Sequence, residues 1–476
     1  MIFALPDNLY MMLGDEEIVQ RFLDTNLQVH PEVVRYLREK RDMSLIEEII
    51  DRVPGNTIVV SPEFIPGWHA ERDGTRFLSD PLLEVVYGHA TDGECGVDFR
   101  DFVHYFRDRL NQLSSIIRSR CSAMPIEALI KTTRYRSQDC SIIGMVVDVR
   151  TTAGGHRLAQ LEDSTGTINV LFNKDRDVFS EAEKVIPDEV IGIKGKLSGD
   201  GNIMFADTLI RPDIPVNNAP FRSKTPGRAI LISDIHLGSN TFLEDAWNRF
   251  ADWLSDEEAQ YLLIAGDLVD GIGIYPGQQE ELTITNIYEQ YDALGELLSD
   301  LPSQLQIIVS PGNHDAVRLS EPQPALPQAF TSSFPANVTL VENPCMVNIQ
   351  GVRVLMYHGR SYDDLISMIP GASYTRPDEM MEEMLIRRHL ACTYGKRTPI
   401  LPAKQDRLII KPIPEILHTG HIHICGIAQY RGVLGINSGA WQDQTSFQKQ
   451  MNIQPTPGRA VVVDLQTLEP GIYDFT

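Results

Sequence analysis

Residues 228–238, RAILISDIHLG, residues 260–271, QYLLIAGDLVDG, and residues 305–315, LQIIVSPGNHD, share one grammar: an apolar run of strand length breaks into Asp, Asn or His. Two later stretches repeat it, VRVLMYHG at 352–359 and EILHTGHIH at 415–423. Short apolar runs without alternation read as strands buried on both faces, and the helical stretches between them predict an α/β domain with a largely parallel sheet. In such sheets, sites form beyond the carboxyl ends of the strands. Five loops are therefore expected to bring Asp234, His236, Asp267, Asn313, His314, Asp315, His358, His421 and His423 to one place.

The residue types agree on a chemistry. In extended chain, Asp234-x-His236 and His421-x-His423 each put both side chains on one side, because strand side chains alternate. Asp, Asn and His without Cys suit divalent Mn, with Fe, Zn and Mg as the other candidates. Two such ions, about 3.5–4 Å apart, need a bridging carboxylate, and Asp267 is the candidate. Five of the twelve histidines are among these expected site residues. His30, His69, His89, His104, His156, His389 and His418 lack a ligand-like partner in the sequence and read as ordinary.

Working outward, the chain has 476 residues, 42% of them hydrophobic and 22% charged, which is globular usage with length for about three domains. No apolar run reaches membrane-spanning length, the start MIFALPDNLYMMLGDEE has no basic leader, and six scattered cysteines suit reduced thiols. These features predict a cytoplasmic protein with no membrane partner. A net charge of −23 argues against gripping nucleic acid by bulk charge and is otherwise the mark of a soluble surface.

Residues 1–60 read as an N-terminal helical domain of three amphipathic stretches, GDEEIVQRFLDTNLQ, HPEVVRYLREKRD and SLIEEIIDRVP. Residues 61–137 read as a linker and connecting helices, with Phe102, Phe106, Leu110, Leu113 and Ile117 as the core stripe of a helix over 99–120. Residues 138–211 carry five strand signals with a short helical stretch between the third and fourth, the order of an OB barrel. The phrase LAQLEDSTGTINVLF resembles the second-to-third strand segment of nucleic-acid-binding OB folds. A strand-binding surface and a protein-contact surface both fit it. Residues 212–228 hold four prolines and read as a linker, and 229–476 form the α/β domain.

The set SDIHLG, GDLVDG, GNHD, HG and GHIH, in that order across 229–442, resembles the motifs of the calcineurin-like metallophosphoesterase superfamily. The resemblance implies a metallophosphoesterase α/β sandwich. It assigns Asp234, His236, Asp267 and His423 to one metal, and Asp267, Asn313, His358 and His421 to a second. His314 would be the acid that protonates the leaving oxygen or steadies the scissile phosphate, with Asp315 orienting its imidazole. Asp270 has no ligand role in that pattern and reads as a turn residue.

An OB fold ahead of such a domain resembles the small, B-type subunits of replicative DNA polymerases. With the metal ligands intact, it resembles the small subunits of archaeal family D DNA polymerases. That likeness also extends to DFVHYFRDRLNQLSSIIRSR, MYHGRSYDD and RRHLACTYGKRTPILPAKQD. It implies a two-metal 3′→5′ exonuclease that proofreads single-stranded or mismatched DNA 3′ ends beside a catalytic large subunit, with the sliding clamp as a further partner. The alternative is a mainly structural subunit that bridges the large subunit to other replication proteins. A free-standing small-molecule phosphodiesterase has no use for an OB module. Between 371 and 411, Arg387, Arg388, Lys396, Arg397, Lys404 and Arg407 make a basic segment fit to guide a DNA strand by its phosphates. The same segment reads equally as a lid or docking surface, with Met380, Met381 and Met384 as adaptable contacts.

Overall fold

The computed structural model describes residues 15–25, 27–40, 44–53, 59–60, 82–89, 98–131, 138–450 and 452–476. The chain divides into two compact units, Met1–Arg76 and Phe77–Thr476. In the first, helices Asp15–Leu23, Pro31–Lys40 and Ser44–Arg52 bury Ile18, Phe22, Val33, Leu37, Ile46 and Ile49 against one another. A two-residue parallel ladder, Gln28–Val29 with Val59–Val60, closes it, an element the helical periodicity does not signal.

In the second unit, strands Asp139–Thr151, Arg157–Glu162, Thr167–Phe172, Val190–Leu197 and Ile203–Ile210 close into a barrel. The third strand pairs with the fifth in parallel, and helix Phe179–Glu183 lies between the third and fourth. This is OB order. Leu161, Val170, Phe172, Ile193 and Met204 fill the interior.

The remainder is a four-layer sandwich. One sheet carries Arg228–Ile232, Tyr261–Ala265, Gln306–Ser310 and the start of Val338–Ile349 in parallel, with Arg459–Asp464 and Pro470–Asp474 antiparallel at its edge. The long strand Val338–Ile349 then leaves that sheet for a second, pairing with Val352–Met356 and Leu83–His89. Ile416–Thr419, Val433–Asn437 and Gly426–Tyr430 complete the second sheet. Alternation assigns each strand two duties. Leu231, Leu263 and Ile308 meet Val354, Ile416 and Ile436 between the sheets. On the other face, Ile230, Ile232 and Ile264 pack on Trp247, Phe250 and Leu294 of helices Glu244–Asp256 and Ile287–Ser299. Helices Tyr362–Met368 and Pro377–Arg387 cover the second sheet.

Three expectations change. Leu83 and Glu84, read as linker, begin a sheet strand; 61–81 lie outside the described residues. The Pro-rich stretch 212–228 is tied down along its length: Asp213 N donates to Ile386 O, Tyr430 Oη to the Asp213 carboxylate, and Ser223 N to Leu465 O. Helix Phe99–Arg118 buries Tyr105, Arg109, Leu113 and Ile117, with Phe102 and Phe106 only half-buried against Tyr394. Its buried face thus includes a charge. Arg109 Nε sits 2.7 Å from Asp406 Oδ2, which also meets His389 Nε2 at 2.8 Å, and the guanidinium reaches the carbonyls of Asp188 and Cys392. His389 is therefore partnered after all.

Among the described residues no helix is long and apolar enough to cross a membrane, and the five cysteines are free.

Candidate metal centre

Each expected side chain sits just past a strand's carboxyl end: Asp234 after Ile232, Asp267 after Ala265, Asn313 after Ser310, His358 after Met356, His421 after Thr419. The turns are strained. Asp234, His236, Asp267, His421 and His423 all have positive φ, between 50° and 74°. Left-handed backbone at non-glycine residues costs on the order of 1–3 kcal/mol each and persists where surrounding structure over-determines it. Here it shapes the turns that bring Asp234 and His236, and His421 and His423, to one cleft while Ile235 and Ile422 enter the core, so the two-apart pairs converge by a turn geometry the extended reading does not contain. Gly312 and Gly420 allow the close approach: a methyl group on either would overlap the carboxylate of Asp267 or Asp234.

The donors form linked groups. Asp234, His236 and His423 make one, with His423 Nε2 3.1 Å from His236 Nε2 and 3.5 Å from Asp234 Oδ1. Asp267, His358 and His421 make another, in which His358 Nε2 lies 3.2 Å from Asp267 Oδ2 and 3.0 Å from Asn313 Oδ1. Asp267 belongs to both sides, being 3.8 Å from His236 Nε2 through the same oxygen. Outer partners fix the rings. His358 Nδ1 donates to Ala265 O at 3.0 Å, His236 Nδ1 faces Asp270 Oδ1 at 3.1 Å, and Gln448 Nε2 donates to His423 Nδ1 at 2.9 Å.

That arrangement fits divalent ions. With Nδ1 donating to Ala265 O, His358 Nε2 faces two oxygen acceptors, and positive charge, carried by a second ring proton or by a divalent ion in its place, reconciles the three. The field agrees. Burial opposes the charged form of Asp267, yet His358, His314 and His236 around it hold the carboxyl well below its usual range. Burial likewise pulls His358 down, but Asp267 and Asp234 lift it to about 10. The residues present suit two ions: Asp234, His236, Asp267 and His423 for one, Asp267, Asn313, His358 and His421 for the other.

His314 reaches the same cleft, its Nε2 4.0 Å from Asp267 Oδ2. Its orientation differs from expectation. His314 Nδ1 lies 2.7 Å from the carbonyl oxygen of Asp270, and Asp315 does not touch the ring. The Asp315 carboxylate accepts from Gly312 N, Leu268 N and Tyr291 Oη, bracing two ligand loops from beneath. Burial and the nearby Asp267 raise it to about 7. Asp270, read as a turn residue, is the carboxylate that fixes His236; Gln278 and Gln442 hold it in place. The repeated acid in GDLVDG was its visible signal. Asp363, in GRSYDD, also reaches the cleft without having been singled out, 3.5 Å from His421 Nε2.

The basic segment divides. Arg387 is buried between Glu189 and Glu383, and Arg388 is buried with its guanidinium on Ile410 O. Neither is free to meet a phosphate. Met380, Met381 and Met384 are core, at 0–1% exposure, so they offer no docking surface. Arg407 pairs with Glu342. Lys396, Arg397 and Lys404 remain exposed.

Residues 229–423 match the family of B-type subunits of DNA polymerase alpha/epsilon, and residues 140–205 match the OB-fold nucleic acid binding domain. The DNA polymerase II small subunit of Halobacterium salinarum is 43% identical over 412 residues, 85% of this chain and 81% of that protein. That of Archaeoglobus fulgidus is 44% identical over 392 residues, covering 80% and 78%. That of Methanothermobacter thermautotrophicus is 37% identical over 490 residues, covering 94% and 98%. Identity at this level, sustained over more than three quarters of both chains in each case, establishes that this chain belongs to the DNA polymerase II small subunit family.

Proposed function

We propose that the centre hydrolyses DNA phosphodiesters as a metal-dependent 3′→5′ exonuclease of the metallophosphoesterase kind. It would proofread for the large catalytic subunit of a two-subunit DNA polymerase. The relatives' names support the polymerase setting, since a small subunit implies a larger partner. The observation that carries the chemistry is the pair of donor groups joined at Asp267, with the His314 imidazole directed at the same cleft.

When bound, two divalent ions at these donors supply an activated water and neutralise charge developing at phosphorus. The chain does the rest. Asp270 O holds the His314 Nδ1 proton and leaves Nε2 facing the leaving oxygen, to which the imidazolium form of the ring would give its second proton. Asp270 and Ala265 O keep His236 and His358 in the tautomer that presents Nε2 inward. Lys396, Arg397 and Lys404, exposed after helix Pro377–Arg387, are the cations left to meet the incoming strand. The OB barrel adds a surface for single-stranded DNA or for a protein neighbour.

The test is digestion of a 5′-labelled single-stranded DNA by the purified chain with Mn²⁺, alone and with the large subunit. A ladder shortening from the 3′ end, absent with chelator and absent for His314→Ala, is the expected result. No digestion in either setting would move the reading to the structural subunit. One observation already favours that second role alongside the first. The buried Arg387–Glu189 pair, with Arg211 on the same carboxylate, joins barrel to sandwich, and Arg109–Asp406 ties helix Phe99–Arg118 to the sandwich, giving a rigid body on which other replication proteins can dock.

A further inference from the structure

We propose that Asp363 is a positioning residue for the second metal subsite, holding the His421 imidazole so that its other ring nitrogen takes the ion. This rests on the metal-centre reading above and names a residue that neither the ligand pattern nor the family motifs assign. Three ligand histidines have an outer partner on the ring nitrogen facing away from the cluster: His236 has Asp270, His358 has Ala265 O, and His423 has Gln448. For His421 the group in that place is Asp363, whose Oδ2 lies 3.5 Å from Nε2.

The carboxylate is itself anchored. Tyr374 Oη donates to Asp363 Oδ1 at 2.7 Å, and the Arg397 guanidinium lies beside both residues. Asp363 opens helix Tyr362–Met368, directly after the His358 loop, so its backbone is fixed at one end of the cleft. An ionised carboxylate only accepts, so a proton on His421 Nε2 faces it and Nδ1 is left bare as the nitrogen that would take the ion. An outer carboxylate of this kind orients a ligand ring and raises its basicity, and its loss typically costs about 10–100-fold in metal affinity. His421 needs such help, since its backbone is in left-handed geometry at φ 74° and its side chain is 15% exposed.

Calorimetric titration of the metal-stripped full chain with Mn²⁺, alongside melting in chelator, tests this. The wild type should take up two ions. Asp363→Asn should keep one site at wild-type affinity and weaken the other about 10–100-fold, with melting in chelator unchanged. Asp363→Glu should recover part of the loss, and Tyr374→Phe should weaken the same site by less. Wild-type affinity at both sites in Asp363→Asn would overturn the proposal, as would equal weakening of both sites with lowered melting in chelator. A wild type that binds no Mn²⁺ would instead bring down the metal-centre reading itself.

Discussion

The carbonyl oxygen of Asp270 sits 2.7 Å from His314 Nδ1, so a backbone group, not a neighbouring carboxylate, sets the tautomer of this imidazole. A carbonyl only accepts; Nδ1 therefore keeps a proton and Nε2 faces the cleft, where the ring in its doubly protonated, imidazolium form would give its second proton to the leaving oxygen. His314→Ala should lower single-turnover DNA cleavage by about 10²–10⁴-fold, the usual worth of a positioned proton donor. Calorimetric Mn²⁺ stoichiometry and melting temperature should stay at wild-type values.

Asp315 should behave differently from His314 although the two are adjacent. Its carboxylate takes three hydrogen bonds from the 268 and 312 loops and from Tyr291. Asp315→Ala leaves those donors unpaired in the interior, at a cost of about 1–3 kcal/mol per group. Chemical denaturation should show that loss, and residual folded protein should still take up Mn²⁺, more weakly because both ligand loops have lost their brace.

Metal removal should register in stability as well as in activity. The five left-handed residues proposed as ligands hold strained backbone, and Asp234 and Asp267 repel each other, a repulsion that bound cations would offset. Mn²⁺ at about 100 times its dissociation constant should add about 2.7 kcal/mol per independent site. Differential scanning calorimetry with and without chelator should show the shift, and Asp267→Asn should abolish most of it.

The Arg109–Asp406 pair lies wholly out of solvent, with His389 on the same carboxylate. Removing one partner of a buried pair typically costs about 3–5 kcal/mol. Arg109→Met should lower the melting temperature sharply, while Arg109→Met with Asp406→Leu should recover part of it. No recovery in the double variant would show that the guanidinium's bonds to the Asp188 and Cys392 carbonyls dominate.

Glu321 gives a pH signature. Burial raises its carboxyl from 4.5 to about 7, against the Tyr357 hydroxyl and the charges of His358 and Arg360, which pull it down. Between those values the folded chain binds the proton more tightly than the unfolded chain, so stability falls as pH rises, and the full penalty stands above pH about 7. Glu321→Gln, which can still accept from Tyr357 Oη, should therefore raise the melting temperature more at pH 8 than at pH 5. The comparison is made in chelator.

Much of the fold was legible because apolar runs ending in Asp or His state both a buried strand and what lies at its end. Ile230 to Asp234 and Leu262 to Asp267 say this in a handful of letters. What stayed hidden was pairing between distant segments. Arg387 and Arg388 read as exposed cations because the sequence does not reveal that Glu189 and the Ile410 carbonyl lie against them. Asp270 and Asp363 were visible as acids, yet their roles depend on which ring nitrogen they face. The resemblance implied Asp315 as the residue that orients His314, but successive side chains point apart, and the turn sends one into the cleft and the other beneath it.

The buried ion pairs between barrel and sandwich have a mechanical meaning. A barrel hung on a Pro-rich tether would swing, and could carry a captured strand to the cleft from many directions. Locked by Arg387, Glu189 and Arg211, barrel and cleft form a jig of fixed span. On the proposed nuclease reading, a frayed DNA end would have to travel to the cleft unaided, and the number of nucleotides that bridges the gap would be a built-in measure of how far a duplex has to open before trimming begins.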